Sequence, residues 1–340
     1  MLKKMTRNWS KFKKIVISSI SVVVLLIFAV WLAFQLSPRP FVFLLNRIPQ
    51  TQATRPAHFD RVDSQVSSIK NISYSKTFGD QKLDIYYPKY GKIKGTILWT
   101  HGGSFIGGDK TMLDYWGPYL AQQGYSFVSI NYSTAPDYHY PTPLIQLNQA
   151  YRFLKTQQGS NQIINLKQIV IGGDSAGAQI ASQYAAIQTN AKLAKAVKIK
   201  RIIPESTIKA TLLFCGPYDL KSLSKYTSAE YRKFVDYIGW AYVGKKDWQT
   251  SSAAGQASTV DHVTENYPPS FVTDGNSGSF EIHAKKLIKS LNKYQVANES
   301  LFFSKAKYGQ VHHEYQLDLT SREGKLCLQQ TIIFLKKYVK

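Results

Sequence analysis

The chain has 340 residues, 44% of them hydrophobic and 13% aromatic, with 43 Lys and Arg against 21 Asp and Glu, for a formal charge of +22. That apolar content is ample for a core and excludes a disordered or fibrous chain. Two cysteines, Cys215 and Cys327, are too few for a disulfide framework and fit no metal-ligand spacing. The scattered lysines lack the clustered basic and aromatic pattern of a nucleic-acid module.

Lys3, Lys4, Arg7, Lys11, Lys13 and Lys14 crowd a basic tail over 1–14, and no charge follows until after Leu36. As a helix, 15–36 measures roughly 33 Å, enough to cross a hydrocarbon core of about 30 Å. The basic flank precedes it, which predicts an uncleaved single-pass anchor in the cell membrane, N-terminus cytoplasmic and the remainder extracellular. A cleaved signal peptide has a shorter apolar run and a small-x-small site, which Leu32-Ala-Phe-Gln-Leu-Ser37 does not offer. Pro38 and Pro40 end the helix, and 37–70 reads as linker with one or two short helices.

From there apolar runs alternate with helical stretches. Strands are expected over 73–78, 82–87, 95–100, 125–132, 168–171, 210–215, 270–274 and 300–304, and helices over 115–123, 143–157, 176–189, 280–294 and 324–339. Short continuous apolar runs separated by helices point to a mostly parallel sheet covered on both faces. The expected architecture is one α/β domain over 71–340. The alternation breaks at about 220–267, a stretch rich in aromatics (Tyr231, Phe234, Tyr237, Trp240, Tyr242, Trp248). Its length suits a helical lid on the carboxyl edge of the sheet.

The run 168–171 leads into Gly172-Gly-Asp-Ser-Ala-Gly-Ala178 and then a helix, which is G-x-S-x-G in its strand–turn–helix setting. The tight elbow demands small residues two before and two after the serine, and Gly173 and Gly177 supply them. Ser175 is therefore the candidate nucleophile, and the Ala176 N–H, at a helix start, a candidate donor to an oxyanion. Upstream, His101-Gly-Gly-Ser-Phe105 follows a strand, and Gly102 and Gly103 are the other candidate donors; His101 suits a structural hydrogen bond. The base comes late, in Gly309-Gln-Val-His-His-Glu-Tyr315, where His312 and His313 both stand open. His58, His139, His262 and His283 read as surface or lid residues. For the acid, Asp274 closes a strand, Glu281 opens a helix, and Asp219 follows Gly216-Pro-Tyr; all three stand open. Such an acid fixes the imidazole tautomer and stabilises the imidazolium.

His-Gly-Gly-Ser-Phe, Gly-Asp-Ser-Ala-Gly and a late His-Glu-Tyr, in this order, resemble the motifs of the bacterial esterases of the hormone-sensitive-lipase group. Asn131-Tyr-Ser-Thr-Ala-Pro-Asp137 followed by Tyr140-Pro is similar to that group's Tyr-Arg-Leu-Ala-Pro-Glu and Phe-Pro. The likeness runs from about Ser73 to the C-terminus. It implies a covered α/β-hydrolase fold, no cofactor, and hydrolysis of carboxylic esters with short acyl chains. The group's late His-Gly-Phe matches His313-Glu-Tyr315 best, which favours His313 over His312. The chain departs from the pattern at Ser104, which replaces the third glycine, and at Ser133-Thr134. Alignment on Pro268-Pro269 also puts Gly278 where the group's catalytic aspartate stands.

The expected function is thus a membrane-anchored serine hydrolase acting on small ester substrates. The same residues would serve an amidase, peptidase or acyltransferase working on envelope material. A non-catalytic binding protein on a hydrolase scaffold is the third reading, and the replaced acid is its support.

Overall fold

A computed structural model describes residues 2–48, 53–79, 81–158 and 162–340, without the side chains of 2–11 and Tyr226. By its internal contacts the chain divides into Met1–Ile48 and Pro49–Lys340. The first unit holds helices α1 (Leu2–Leu36) and α2 (Arg39–Leu45). The stretch Phe12–Leu36 of α1 has a mean hydropathy of 2.9 in its most apolar window and buries none of it. It is long and apolar enough to cross a membrane, and a signal sequence near an N-terminus meets the same measure.

The second unit is built on one sheet of eight strands: β1 (Val66–Ser73), β2 (Lys82–Pro88), β3 (Gly95–Thr100), β4 (Tyr125–Ile130), β5 (Ile169–Asp174), β6 (Ile208–Phe214), β7 (Ser270–Thr273) and β8 (Asn298–Leu301). Their order is β1-β2-β4-β3-β5-β6-β7-β8. β1 and β2 run antiparallel to their neighbours, and every pair from β4 to β8 is parallel. Strands β3, β4 and β5 are buried along their whole length, which is why they read as unbroken apolar or small-residue runs.

The sheet starts at Val66, inside the segment expected to be linker, and residues 74–78 are not a strand. The sequence Val66-Ser-Ser-Ile-Lys-Asn-Ile-Ser73 lies at the sheet edge with most side chains in water. An edge strand needs no apolar run, so its pattern is weak.

The helices of this unit are α3 (Phe59–Asp63), α4 (Trp116–Gln122), α5 (Thr142–Gln157), α6 (Ala176–Thr189), α7 (Ala191–Val197), α8 (Leu223–Tyr226), α9 (Ala229–Val243), α10 (Ser252–Ala257), α11 (Glu281–Lys293), α12 (Lys305–Tyr308) and α13 (Arg322–Tyr338). On one sheet face Trp99, Phe127, Phe214 and Phe271 pack with Trp116 of α4 and Phe334 of α13. Fully burying each such ring contributes about 1.5–3 kcal/mol. Alternate strand residues point the other way, and α6 lies against β3, β5 and β6. Helices α8 to α10 fill the connection between β6 and β7, where the break in alternation predicts a lid. Trp248 is fully buried there, and Tyr242 stacks on Phe105 at 3.9 Å.

Candidate active site

The carboxyl ends of β3, β5, β6 and β7 bring the chemistry-bearing turns together. β5 closes on Asp174, and Ser175 turns the chain into α6 with φ 51° and ψ −121°. A non-glycine residue in that region costs about 1–3 kcal/mol and persists only where its surroundings hold it. Here the surroundings are backbone. A Cβ on Gly173 would lie 2.4 Å from the Gly177 carbonyl oxygen, and one on Gly177 would lie 2.0 Å from that of Thr100. The Ser175 N–H donates to Phe214 O at 2.8 Å, tying the elbow to β6.

The Ser175 hydroxyl lies 2.8 Å from Nε2 of His313. The histidine is delivered by a segment laced to the loop after β7: Ser277 N–H donates to Val311 O, and Val311 N–H donates to Asn276 Oδ1. Phe280 meets the imidazole edge-on at 5.2 Å. Burial lowers the His313 pKa to about 4, so the ring is a neutral base at pH 7. His312, the other candidate, is exposed on that segment.

Among the described residues no carboxylate bonds directly to the far side of the ring. Nδ1 of His313 lies 2.7 Å from Oγ of Ser279, and the Ser279 hydroxyl donates to Oδ1 of Asp274. Ser279 is one residue beyond Gly278, and its role leaves no trace in the sequence, because a serine on a loop carries no signal until the histidine is placed beside it. Asp274 is fully buried. Burial raises its pKa to about 7, opposed by the Ser279 hydroxyl, the Cys215 thiol and the N–H groups of Phe280 and Gly275.

The proton order follows from donor arithmetic. An ionised Asp274 only accepts, so Ser279 gives it its proton and takes a hydrogen bond from Nδ1–H, leaving the Nε2 lone pair for Ser175. The expectation of an acid bonded directly to the histidine is thus corrected: Asp274 reaches the ring through a hydroxyl. Glu281 pairs with Lys285 at 2.8 Å instead, and Asp219 pairs with Lys286. Donor atoms of Cys215, Asp274 and His313 lie within 4.8 Å of one another, but the ring nitrogen and the carboxylate already face Ser279.

Gly102 is also corrected. Its N–H donates to Asp174 Oδ2 at 2.8 Å and so faces away from an oxyanion. The N–H groups of Gly103, Ser104 and Ala176 are donated to no group within the described structure, and Gly102, next to Gly103, packs against Ser175. His101 is buried, stacks on Tyr132 at 4.5 Å and has Nδ1 2.6 Å from Gly102 O, a structural place. His283 is buried against the Asp219 backbone rather than at the surface. His139 and His262 bond lid carbonyls, those of Ala241 and Gly255. Next to the site a hollow of about 510 Å³ is lined by Thr54, Met112, Tyr308, His312, His313 and Glu323, among others.

Residues 83–283 match the family model BD-FAE, a span that runs from β2 into α11 and takes in the elbow and the loop after β7. The chain belongs to this family. The acetyl esterase of Salmonella typhi is 22% identical over 269 residues, 77% of this chain and 79% of its own length. Among solved structures, esterase B of Lactobacillus rhamnosis superposes with a TM-score of 0.68 at 20% identity, covering 83% of this chain and 91% of that one. An esterase of the bacterial hormone-sensitive lipase (HSL) family superposes with a TM-score of 0.63 at 17% identity, covering 89% and 97%. Family and fold together place the chain among the α/β-hydrolase esterases.

Proposed function

We propose that this BD-FAE family member is a serine esterase that cleaves short-chain carboxylic esters through an acyl-enzyme on Ser175. The observation that carries this is the hydrogen-bonded line Ser175–His313–Ser279–Asp274, ending on a strained elbow beside free backbone donors. Ser175 Oγ attacks the ester carbonyl carbon as His313 Nε2 takes its proton. The carbonyl oxygen, now negative, is held by the N–H groups of Gly103, Ser104 and Ala176. The tetrahedral adduct expels the alcohol, which receives the proton from His313. Water then enters, gives its proton to His313, and releases the acid and free Ser175.

Short acyl groups are favoured by the likeness to the acetyl esterase of Salmonella typhi. The test uses the detergent-solubilised full chain with p-nitrophenyl acetate and a fluorophosphonate. A burst of nitrophenol and a covalent label on Ser175 are expected. No label on the folded protein would sink the proposal.

The apolar helix and its basic flank support anchoring in the cell membrane with the hydrolase unit outside. After cell fractionation, all of the protein should stay with membranes at full mass, resisting carbonate wash. A soluble species about 4 kDa smaller, the mass of an excised leader of this length, would instead identify α1 as a signal sequence.

A further inference from the structure

The residues flanking the proposed nucleophile and base, Asp174 before Ser175 and Glu314 after His313, carry two carboxyl groups that meet under the turn after β3. Asp174 is fully buried; its Oδ1 accepts from Trp99 Nε1 at 2.7 Å and its Oδ2 from Gly102 N–H at 2.8 Å. The Glu314 carboxyl lies beside that of Asp174, close enough for each to act on the other's ionisation. A Cβ placed on Gly102 would lie 2.3 Å from Glu314 Oε1, 2.6 Å from Asp174 Oδ2 and 3.1 Å from Ser175 Cβ. Gly102 is therefore enclosed by the two acids, and only a residue without a side chain fits there.

Two carboxylates cannot bond each other without a proton, since each only accepts. The titratable groups facing the pair are Tyr132 after β4, Cys215 after β6, the neighbouring His313, and His101 stacked on Tyr132. The groups acting on Glu314 are its own burial and Asp174. Glu314 also holds the left-handed conformation, φ 57°, which a non-glycine residue adopts at a cost. The matching position in the resembled late motif is glycine, which takes that conformation without cost.

We propose that Asp174 and Glu314 share one proton, and that this acid pair positions Gly102 and thereby sets the oxyanion donors Gly103 and Ser104 against the Ser175 elbow. Glu314 is a positioning residue: it acts through Gly102 and Asp174, not on the substrate. Burial raises the pKa of Asp174 and raises that of Glu314 well above its ordinary range, the neighbouring acid adding to the second. The shared proton is thus held to a higher pH than an ordinary carboxylic acid holds one, and once it is lost repulsion between two anions opens the turn. The sign for stability follows. The folded chain holds a proton that the unfolded chain releases above the ordinary carboxylate range, so stability falls as pH rises until the pair itself ionises.

The proposal rests on Ser175 as nucleophile, and the two can fail separately. Fluorophosphonate labelling near neutral pH reports the nucleophile, and the alkaline limb of the kcat profile reports the acid pair. For the full chain, kcat should drop about tenfold or more on the alkaline side with KM little changed, because oxyanion bonds act in the transition state. Glu314→Gln, which can donate an N–H to an ionised Asp174, should keep neutral-pH kcat within about threefold and erase the alkaline limb. Asp174→Asn should lose activity at neutral pH, having one acceptor where two are needed, and also lack the limb. Should one variant not fold, the other carries the test. An alkaline limb unchanged from the parent in a folded variant would overturn the proposal, as would a parent kcat flat through the alkaline range while Ser175 still labels.

Discussion

Ser175→Ala is expected to lower kcat for p-nitrophenyl acetate by between about a thousandfold and a millionfold, and to abolish fluorophosphonate labelling, with the chain still folded. Alanine fits the elbow without new contacts, and the backbone bond from residue 175 to Phe214 O survives. What disappears is the hydroxyl bonded to His313 Nε2. His313→Ala should cost a comparable factor, because an alcohol without a base is a poor nucleophile at pH 7. The double variant should be scarcely worse than either single one, since the two groups act as a unit. Circular dichroism verifies the fold, and active-site titration of the parent guards against a contaminating esterase. Retention of more than a tenth of the parental kcat by Ser175→Ala would mean that another nucleophile does the work.

Asp274→Asn is expected to cost between about a hundredfold and ten-thousandfold in kcat, and the reason is the direction of the relay. The N–H groups of Phe280 and Gly275 act on the carboxylate at residue 274 and favour an acceptor there. The single amide oxygen of asparagine goes to them, and its NH2 turns to Ser279. The Ser279 proton then points at Nδ1, the imidazole proton moves to Nε2, and the base faces Ser175 with its lone pair on the wrong side. Protonating Asp274 in the parent does the same, so kcat/KM should fall as pH drops through about 7, where that carboxyl takes up its proton. The asparagine variant should show no such step. Adding Ser279→Asp to it places a carboxylate next to Nδ1 and should recover activity at least about tenfold, with the acid limb moved downward. A nearly active Asp274→Asn variant with the parental acid limb would remove Asp274 from the mechanism. On the proposed relay, Ser279, one residue beyond Gly278, stands in for the replaced acid position and hands the role on to Asp274.

The sequence shows β3 and α6 at their observed limits because both are decided locally, β3 by an unbroken apolar run and α6 by the elbow glycines that precede it. The elbow at Ser175, the late His312-His313 pair and a helical insertion between β6 and β7 likewise stand out in the sequence, as motifs and as a break in the strand–helix rhythm. Three things do not. β1 sits at a wet edge, so pairing rather than hydrophobicity makes it a strand. Gly102 looks like an oxyanion donor because glycine marks a close approach, but which way its N–H points is set by Asp174, seventy-two residues away. Ser279 becomes visible only when the loop after β7 is laced to 310–314, a contact between segments that share no local pattern.

The elbow, the oxyanion turn and Asp274 hang from the ends of β5, β3 and β7, all inside the eight-stranded sheet. Interior strands belong to the part of a domain that opens last, whereas an inserted helical lid opens in smaller, cheaper excursions. Opening of α8 to α10 therefore leaves the strand ends that carry Ser175 and Asp274 in place. Those helices can change while Ser175, on its elbow, stays as rigid as the sheet that carries it.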